Sequence, residues 1–218
     1  MSYVVATVTT GQLRMEFEES IEALRATYSY RMMKPGMHYL DDARNACVER
    51  FLKDGDEDWL LFIDDDQSSF NTDMVKILLE SGSDEHRCVC GWYLSTLNNG
   101  IGPVVFQWGP HPQFGEHYLQ IPTSEIHNRP RDDYGYIPVS CAGTGFMGLH
   151  RSLLEELVAA YPYPTTPFAE EVINGVHCGE DMTICHRIHE LGYKVYVHPD
   201  IHVGHIKTVE LREQREEV

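Results

Sequence analysis

Long hydrophobic runs are missing from this 218-residue sequence. The longest uninterrupted apolar run covers residues 59–63, far short of the roughly 18–20 residues that a membrane-spanning helix needs. The first residues have neither the positive segment nor the cleavage-site pattern of a secretory signal. The sequence therefore predicts a cytoplasmic protein without a membrane span.

Basic residues are also scarce: 17 Lys and Arg stand against 34 Asp and Glu, for a formal net charge of −17. This balance argues against a general binder of nucleic acid or anionic membranes. The acidic excess is uneven, because residues 41–73 hold eleven acidic and three basic residues, whereas residues 86–131 are nearly neutral. A concentrated set of carboxylates is compatible with a divalent cation site, and the near-neutral stretch leaves specific contact with DNA open.

Several common catalytic and metal-binding motifs are absent. The chain has no P-loop and no Gly-x-Ser-x-Gly sequence. Cys88-x-Cys90 with nearby His86 has no second Cys-x-x-Cys to complete a structural zinc site, so we do not expect zinc. The six cysteines are scattered along a chain long enough to form its own core, which favours reduced, buried thiols.

Strand and helix patterns alternate along the chain. We predict strands at 3–8, 27–33, 59–63, 87–93, 141–150 (interrupted by glycine) and 193–197, and helices at 11–26, 39–53, from 71 or 72 onward, 151–160 and 180–191. Residues 95–140 predict an irregular excursion with short strands at 104–106 and 118–121. This order predicts an α/β fold with a mostly parallel, Rossmann-like sheet flanked by helices, in which ligands bind at the carboxyl ends of strands.

Three consecutive carboxylates, Asp64-Asp65-Asp66, follow the most apolar predicted strand. Adjacent carboxylates repel one another unless water or a cation neutralises them. Mg²⁺ and Mn²⁺ take one or two protein carboxylates and complete their coordination with substrate phosphates and water. The position after a buried strand favours a cation site over a solvated acidic loop.

Three motifs in order resemble those of GT-A-fold glycosyltransferases of the family-two-like group. Leu61-Phe62-Ile63-Asp64-Asp65-Asp66 resembles the Asp-x-Asp motif, and Ala43-Arg44-Asn45 resembles the helix opening that precedes it. Gly179-Glu180-Asp181, followed by Arg187 and Gly192-Tyr193, resembles the acceptor-side motif. The resemblance covers residues 3–206, and the short length is most similar to compact bacteriophage-type members, which would place the protein in the host cytoplasm.

The resemblance implies a role for each motif. Asp66 would bind the metal together with a late histidine, for which His205 fits best and His202 is the alternative. An imidazole ligand leans toward Mn²⁺ over Mg²⁺. Thr9 and Thr10 would lie beside the nucleotide base, although the family usually has a proline-containing loop there. The implied donor-binding residues are Thr9, Arg44, Asp64, Asp65, Gly143 and Gly145.

Glu180 and Asp181 are the implied catalytic residues. Carboxylates also favour the first turn of a helix for electrostatic reasons, so a simple capping role is the alternative. For an inverting transfer the resemblance makes Asp181 the general base that takes the proton of the acceptor hydroxyl, with Glu180 orienting the acceptor. A retaining enzyme would need neither as a base in this sense.

The resemblance implies a metal-dependent glycosyltransferase with a nucleotide-sugar donor, most plausibly a UDP-sugar. The acceptor could be hydroxymethylpyrimidine in phage DNA or a saccharide. A nucleotidyltransferase of similar fold and a non-catalytic nucleotide- or sugar-binding domain are the rival hypotheses. We predict one catalytic domain over 1–206, with a nucleotide-sugar half (1–94), an acceptor half (95–206) and a charged tail (207–218); oligomeric state stays open.

Overall fold

The computed structural model describes residues 2–9, 13–25, 31–33, 39–80, 85–97 and 100–207. Its helices are α1 (Met15–Arg25), α2 (Leu40–Asp54), α3 (Thr72–Glu80), α4 (Thr123–Asn128), α5 (Arg151–Ala160) and α6 (Glu180–Glu190). None of these helices has the length and apolar character needed to cross a membrane.

The strands are numbered in chain order. They are β1 (Tyr3–Ala6), β2 (Arg31–Met33), β3 (Trp59–Ile63), β4 (Gln67–Ser68), β5 (Cys88–Trp92), β6 (Leu94–Leu97), β7 (Gly100–Pro103), β8 (Val105–His111), β9 (Gly115–Gln120), β10 (Ile137–Val139), β11 (Cys141–Ala142), β12 (Phe146–His150), β13 (Glu171–Ile173), β14 (Val176–Cys178), β15 (Val195–His202) and β16 (Gly204–His205).

The central sheet has seven strands in the order β10-β15-β5-β12-β3-β1-β2. Five of them run in the same direction, and β10 and β12 run against their neighbours. The α/β prediction is confirmed, but the sheet is mixed. Strand β12 begins beside the carboxyl end of β3 and lies between β3 and β5, antiparallel to both. The local sequence pattern does not show this direction.

The core is formed where the sequence pattern predicts it. Residues 4–6 of β1 and 60–63 of β3 are fully buried, as expected for β-branched and large apolar residues in central strands. Helix α1 buries Phe17, Ile21 and Leu24, which are spaced three and four residues apart on one face. All six cysteines are buried free thiols, in agreement with the sequence prediction.

Residues 95–140 are more regular than predicted. The expected short strands belong to a hairpin of β8 and β9, which β11 extends into a three-stranded sheet, and β10 joins the central sheet. Glycine and proline within β8, at Gly109 and Pro110, obscure its strand pattern. Strand β15 is also longer than predicted and continues past Pro199, where its register with β5 shifts. The predicted strand residues 27–30 and the tail 208–218 lie outside the described residues.

Candidate active site

The acidic turn after β3 is held in place by backbone hydrogen bonds. The amide of Asp64 donates to the carbonyl of Gly145 at 3.1 Å, and the amide of Gln67 donates to the carbonyl of Asp64 at 3.0 Å. The amide of Ile206 donates to the carbonyl of Asp66 at 2.8 Å, beside the pairing of β4 with β16. One hydrogen bond within the turn and two from other parts of the chain therefore fix the carboxylates at the carboxyl end of β3.

One carboxylate oxygen of Asp66 contacts nitrogen atoms of two other side chains. Nε2 of His205 lies 3.1 Å from Oδ2 of Asp66, and Nζ of Lys207 donates to the same oxygen at 2.8 Å. Burial alone would raise the pKa of Asp66, but the hydrogen bonds from His205 and Lys207 outweigh it and lower this pKa to about 2. Asp66 is therefore a carboxylate at neutral pH.

The ring of His205 is oriented by the backbone. Its Nδ1 lies 2.8 Å from the carbonyl oxygen of Leu94, which can only accept a hydrogen bond, so Nδ1 carries the hydrogen. Nε2 is then the nitrogen that faces Oδ2 of Asp66. A hydrogen on Nε2 makes this contact a hydrogen bond, and a bound metal ion would take the place of that hydrogen. A backbone carbonyl that fixes the tautomer in this way is typical of metal-binding histidines.

The other two late histidines have different environments. The ring of His202 stacks on Trp92 with 4.1 Å between ring centroids, and the ring of His198 packs edge-on against Tyr136 at 5.2 Å. Of the late histidines, the structure brings His205 to Asp66. The metal-binding role itself stays a prediction.

Arg44 lies between the two acidic motifs. Its side chain is 1% exposed, its Nη2 donates to both carboxylate oxygens of Asp64 at 3.0 Å, and its Nε donates to Oε1 of Glu180 at 3.3 Å. Burial disfavours the charged guanidinium, but the charges of Asp64 and Glu180 outweigh burial and raise its pKa above the ordinary value. One buried cation thus joins motifs that are 116 residues apart in sequence.

Glu180 and Asp181 begin α6 and differ in their partners. Glu180 accepts hydrogen bonds from Arg44 and, at 3.4 Å, from Oγ1 of Thr144. Asp181 accepts the backbone amide of Met182 through Oδ1 at 2.8 Å. Burial raises the pKa of both carboxyl groups, and the neighbouring Asp181 charge raises that of Glu180 further.

Gly143 and Gly145 lie beneath the site and make room for Tyr93. A Cβ atom on Gly143 would lie 2.2 Å from Oη of Tyr93, and the amide of Gly145 donates to the same oxygen at 3.3 Å. Between the glycines, Thr144 reaches the cleft. The donor-binding role predicted for the two glycines stays a prediction.

These side chains surround one cleft of about 480 Å³. Of the ten predicted site residues, all but Gly143 and Gly145 line it: Thr9, Arg44, Asp64, Asp65, Asp66, Glu180, Asp181 and His205. Thr10 lies outside the described residues. A second groove of about 700 Å³ adjoins the cleft and shares Tyr39, Leu40 and Glu180 with it.

Sequence reasoning missed Tyr93, Thr144 and Lys207 as cleft residues. Tyr93 directly follows β5, so the rule that ligands bind at carboxyl ends of strands could have found it. Thr144 lies within the glycine-rich segment, and Lys207 is the first residue of the predicted tail. The predicted donor-binding glycines on either side could have pointed to Thr144, whereas no local pattern marks Lys207.

The cleft offers part of a metal site. Within the described ranges, no three His, Cys, Asp or Glu side chains are grouped closely enough to hold a metal by themselves. Asp66 and the oriented His205 nevertheless form a carboxylate–imidazole pair in the cleft. Such a pair fits a divalent ion that completes its coordination with phosphate oxygens and water.

Comparison with known proteins gives a fold but no family. No protein-family profile matches the chain, and no curated protein sequence matches it. Among solved structures, A197 from STIV superposes with a TM-score of 0.56 at 17% identity, over 100% of both chains. GalNAc-T7, solved with UDP, GalNAc and Mn²⁺, superposes with a TM-score of 0.63 at 12% identity over 96% of this chain.

The fold is GT-A-like. The chain spans 44% of the length of GalNAc-T7. At these identities the similarity extends to the fold, which resembles that of glycosyltransferases, and not to a particular reaction. Only the residues of the cleft can therefore indicate a particular function.

Proposed function

We propose that the protein transfers a sugar from a nucleotide-sugar donor to an acceptor hydroxyl. One observation carries the proposal: the carboxylate–imidazole pair Asp66–His205 and the raised-pKa carboxyls Glu180 and Asp181 line the same cleft. Sugar transfer needs both functions together, namely positive charge on a leaving diphosphate and a base for the attacking hydroxyl.

Asp181 is the proposed general base. A base is most effective when its pKa approaches the working pH, and burial moves the pKa of Asp181 in that direction. Glu180 is held by Arg44 and Thr144, so it is better suited to orient the acceptor. This division keeps one carboxylate fixed and leaves the other to take the proton.

Asp66 and His205 are the proposed ligands of Mn²⁺ or Mg²⁺. When bound, the ion would neutralise charge on the diphosphate of the donor. Asp64 and Asp65 would then face the ribose or sugar, and Thr9 in the loop after β1 would lie near the base. A UDP-sugar is the proposed donor, in line with the sequence resemblance and with the UDP in GalNAc-T7.

The groove beside the cleft favours a saccharide acceptor over DNA. Its charged lining residues in the described part of the chain are all acidic: Asp41, Asp42, Glu49, Glu170 and Glu180. Tyr39 and Tyr163, which are 71% and 89% exposed, offer aromatic faces at the same groove. DNA phosphates would be repelled by these carboxylates, whereas sugar hydroxyls can donate hydrogen bonds to them.

Donor binding is tested by thermal unfolding with UDP and Mn²⁺. A ligand at about 100 times its Kd stabilises the folded state by about 2.7 kcal/mol, which for a domain of this size raises Tm by about 5–10 °C. We expect this rise with UDP and Mn²⁺ together, and a smaller one with UDP alone. Asp66→Asn should remove the added effect of Mn²⁺, and Asp133→Asn, an exposed carboxylate, serves as the control. No shift with any nucleotide or metal would refute the proposed donor site.

A further inference from the structure

Lys207 lines the cleft together with Asp66 and forms an ion pair with it. Its ammonium group donates to Oδ2 at 2.8 Å, and its side chain is 44% exposed, against 22% for Asp66 and 7% for His205. Among the described residues that line the cleft, Arg44 and Lys207 are the positively charged side chains. Arg44 is buried between Asp64 and Glu180, so Lys207 is the cation with freedom to move.

A divalent ion and Lys207 would use the same oxygen atom. Oδ2 of Asp66 already meets both Nε2 of His205 and Nζ of Lys207. An ion placed between Asp66 and His205 would bring a second positive charge within a few ångströms of the ammonium, and like charges at that distance repel strongly in a partly buried site. Lysine has a flexible stem and a point charge, so it can change partner without rearranging the backbone.

We propose that Lys207 holds Asp66 until a nucleoside diphosphate draws its ammonium group away, so that the divalent ion and the donor bind cooperatively. The inference rests on the proposed function for the identity of the diphosphate. The diphosphate would lie in the same cleft, and its charged oxygens would offer strong, charge-assisted hydrogen bonds to an ammonium group displaced from Asp66. Lys207 is thus a positioning residue that couples two ligands.

Competition between Lys207 and the ion should appear in the affinities for Mn²⁺ and UDP. If Lys207 must leave Asp66 before the ion binds, Mn²⁺ alone binds weakly, and UDP raises its affinity. Coupling between sites is reciprocal, so Mn²⁺ must raise the affinity for UDP by the same factor, typically about 5–150-fold. Removing the ammonium should strengthen binding of Mn²⁺ alone and reduce this factor.

The test is a Mn²⁺ titration of the full chain, followed by the electron paramagnetic resonance signal of free Mn²⁺, with and without UDP. For Lys207→Met we expect Mn²⁺ alone to bind about fivefold more tightly, the size expected for losing one ion pair of about 1 kcal/mol. We also expect the coupling factor with UDP to fall toward one. Lys207→Arg keeps the charge and should behave like the wild type in the titration without UDP.

Two controls separate local from general effects. Lys194→Met removes the same charge from an exposed position before β15 and should leave Mn²⁺ binding unchanged. Asp66→Asn should abolish Mn²⁺ binding in both the wild-type and the Lys207→Met backgrounds. Thermal unfolding of each variant confirms that the chain is folded before titration.

The outcomes are distinct. Equal Mn²⁺ affinity of Lys207→Met and wild type would show that Lys207 does not compete, and would overturn the proposal. Tighter Mn²⁺ binding with an unchanged coupling factor would overturn the transfer of the ammonium group to the diphosphate. If UDP binds to neither protein, the proposed function fails, while the titration without nucleotide still decides whether Lys207 competes.

Discussion

Replacing Asp181 by Asn is expected to lower the rate of sugar transfer by about 10²–10⁴-fold, the usual contribution of a general base. The amide has nearly the same shape and its oxygen can still accept the Met182 amide, but it cannot take the proton of the acceptor hydroxyl. Donor binding, measured by the thermal shift with UDP and Mn²⁺, should stay unchanged. A transfer rate for Asp181→Asn equal to that of the Asp133→Asn control would remove Asp181 as the base.

The same variant has a characteristic effect on stability. The folded-state pKa of Asp181 is raised by burial above its unfolded value, so the ionised carboxylate destabilises the folded state. Below the unfolded pKa of about 3.9 the carboxyl is protonated in both states, and its contribution to the free energy of unfolding is fully present. This contribution is lost as the pH rises through the folded pKa of Asp181. At pH 7, Asp181→Asn should unfold at the same temperature as the wild type or higher, which separates lost chemistry from lost folding.

The largest effect on stability is expected at Arg44. Arg44→Met leaves Asp64 and Glu180 partly buried without their shared cation, and breaking such a pair typically lowers the free energy of unfolding by about 3–5 kcal/mol. Urea denaturation followed by circular dichroism measures this loss. Arg50→Met is the matched control on the same helix, because Arg50 is 59% exposed in its ion pair with Asp54 and should contribute at most about 1 kcal/mol.

A combined variant identifies the cause of that loss. If uncompensated charge is responsible, the neutral partners in Arg44→Met/Asp64→Asn/Glu180→Gln should recover about 0.5–3 kcal/mol of the lost free energy, the usual coupling between contacting sites. If the loss came from packing against Phe62, over which the guanidinium lies at 5.2 Å, the additional substitutions would recover none of it. A loss at Arg44 no larger than at Arg50 would contradict the bridging role.

The local pattern was enough to predict the framework of the site. The apolar run at 59–63, the helix at 151–160 and the start of α6 at Glu180 agree with the structure to the residue or nearly so. These elements have strong signals because their patterns are formed by residues that are neighbours in sequence. The patterns are a buried strand followed by carboxylates and an amphipathic stretch with a clear start. The direction of β12 depends on tertiary pairing and is therefore missed. The prediction of the β8–β9 hairpin is incomplete because Gly109 and Pro110 obscure the strand pattern of β8.

The contacts within the cleft were the least predictable part. The sequence resemblance implies that Arg44 binds the donor, whereas the structure shows it bound to both Asp64 and Glu180. The sequence predicts Lys207 as the first residue of a charged tail. Its contact with Asp66 could not be predicted, because the two residues are 141 positions apart in sequence. Long-range ion pairs of this kind leave no periodic signal, so only three-dimensional proximity shows them.

Transfer of a sugar to an acceptor is the central claim, and mass spectrometry of the acceptors tests it most directly. The full chain is incubated with Mn²⁺, a panel of UDP-sugars, and both oligosaccharides and hydroxymethylated DNA. We predict that a saccharide acceptor gains the mass of one sugar, that an equal amount of UDP is released, and that Asp181→Asn yields neither product. Unchanged acceptors with every UDP-sugar, alongside release of pyrophosphate from a nucleoside triphosphate, would contradict the account and favour a nucleotidyltransferase.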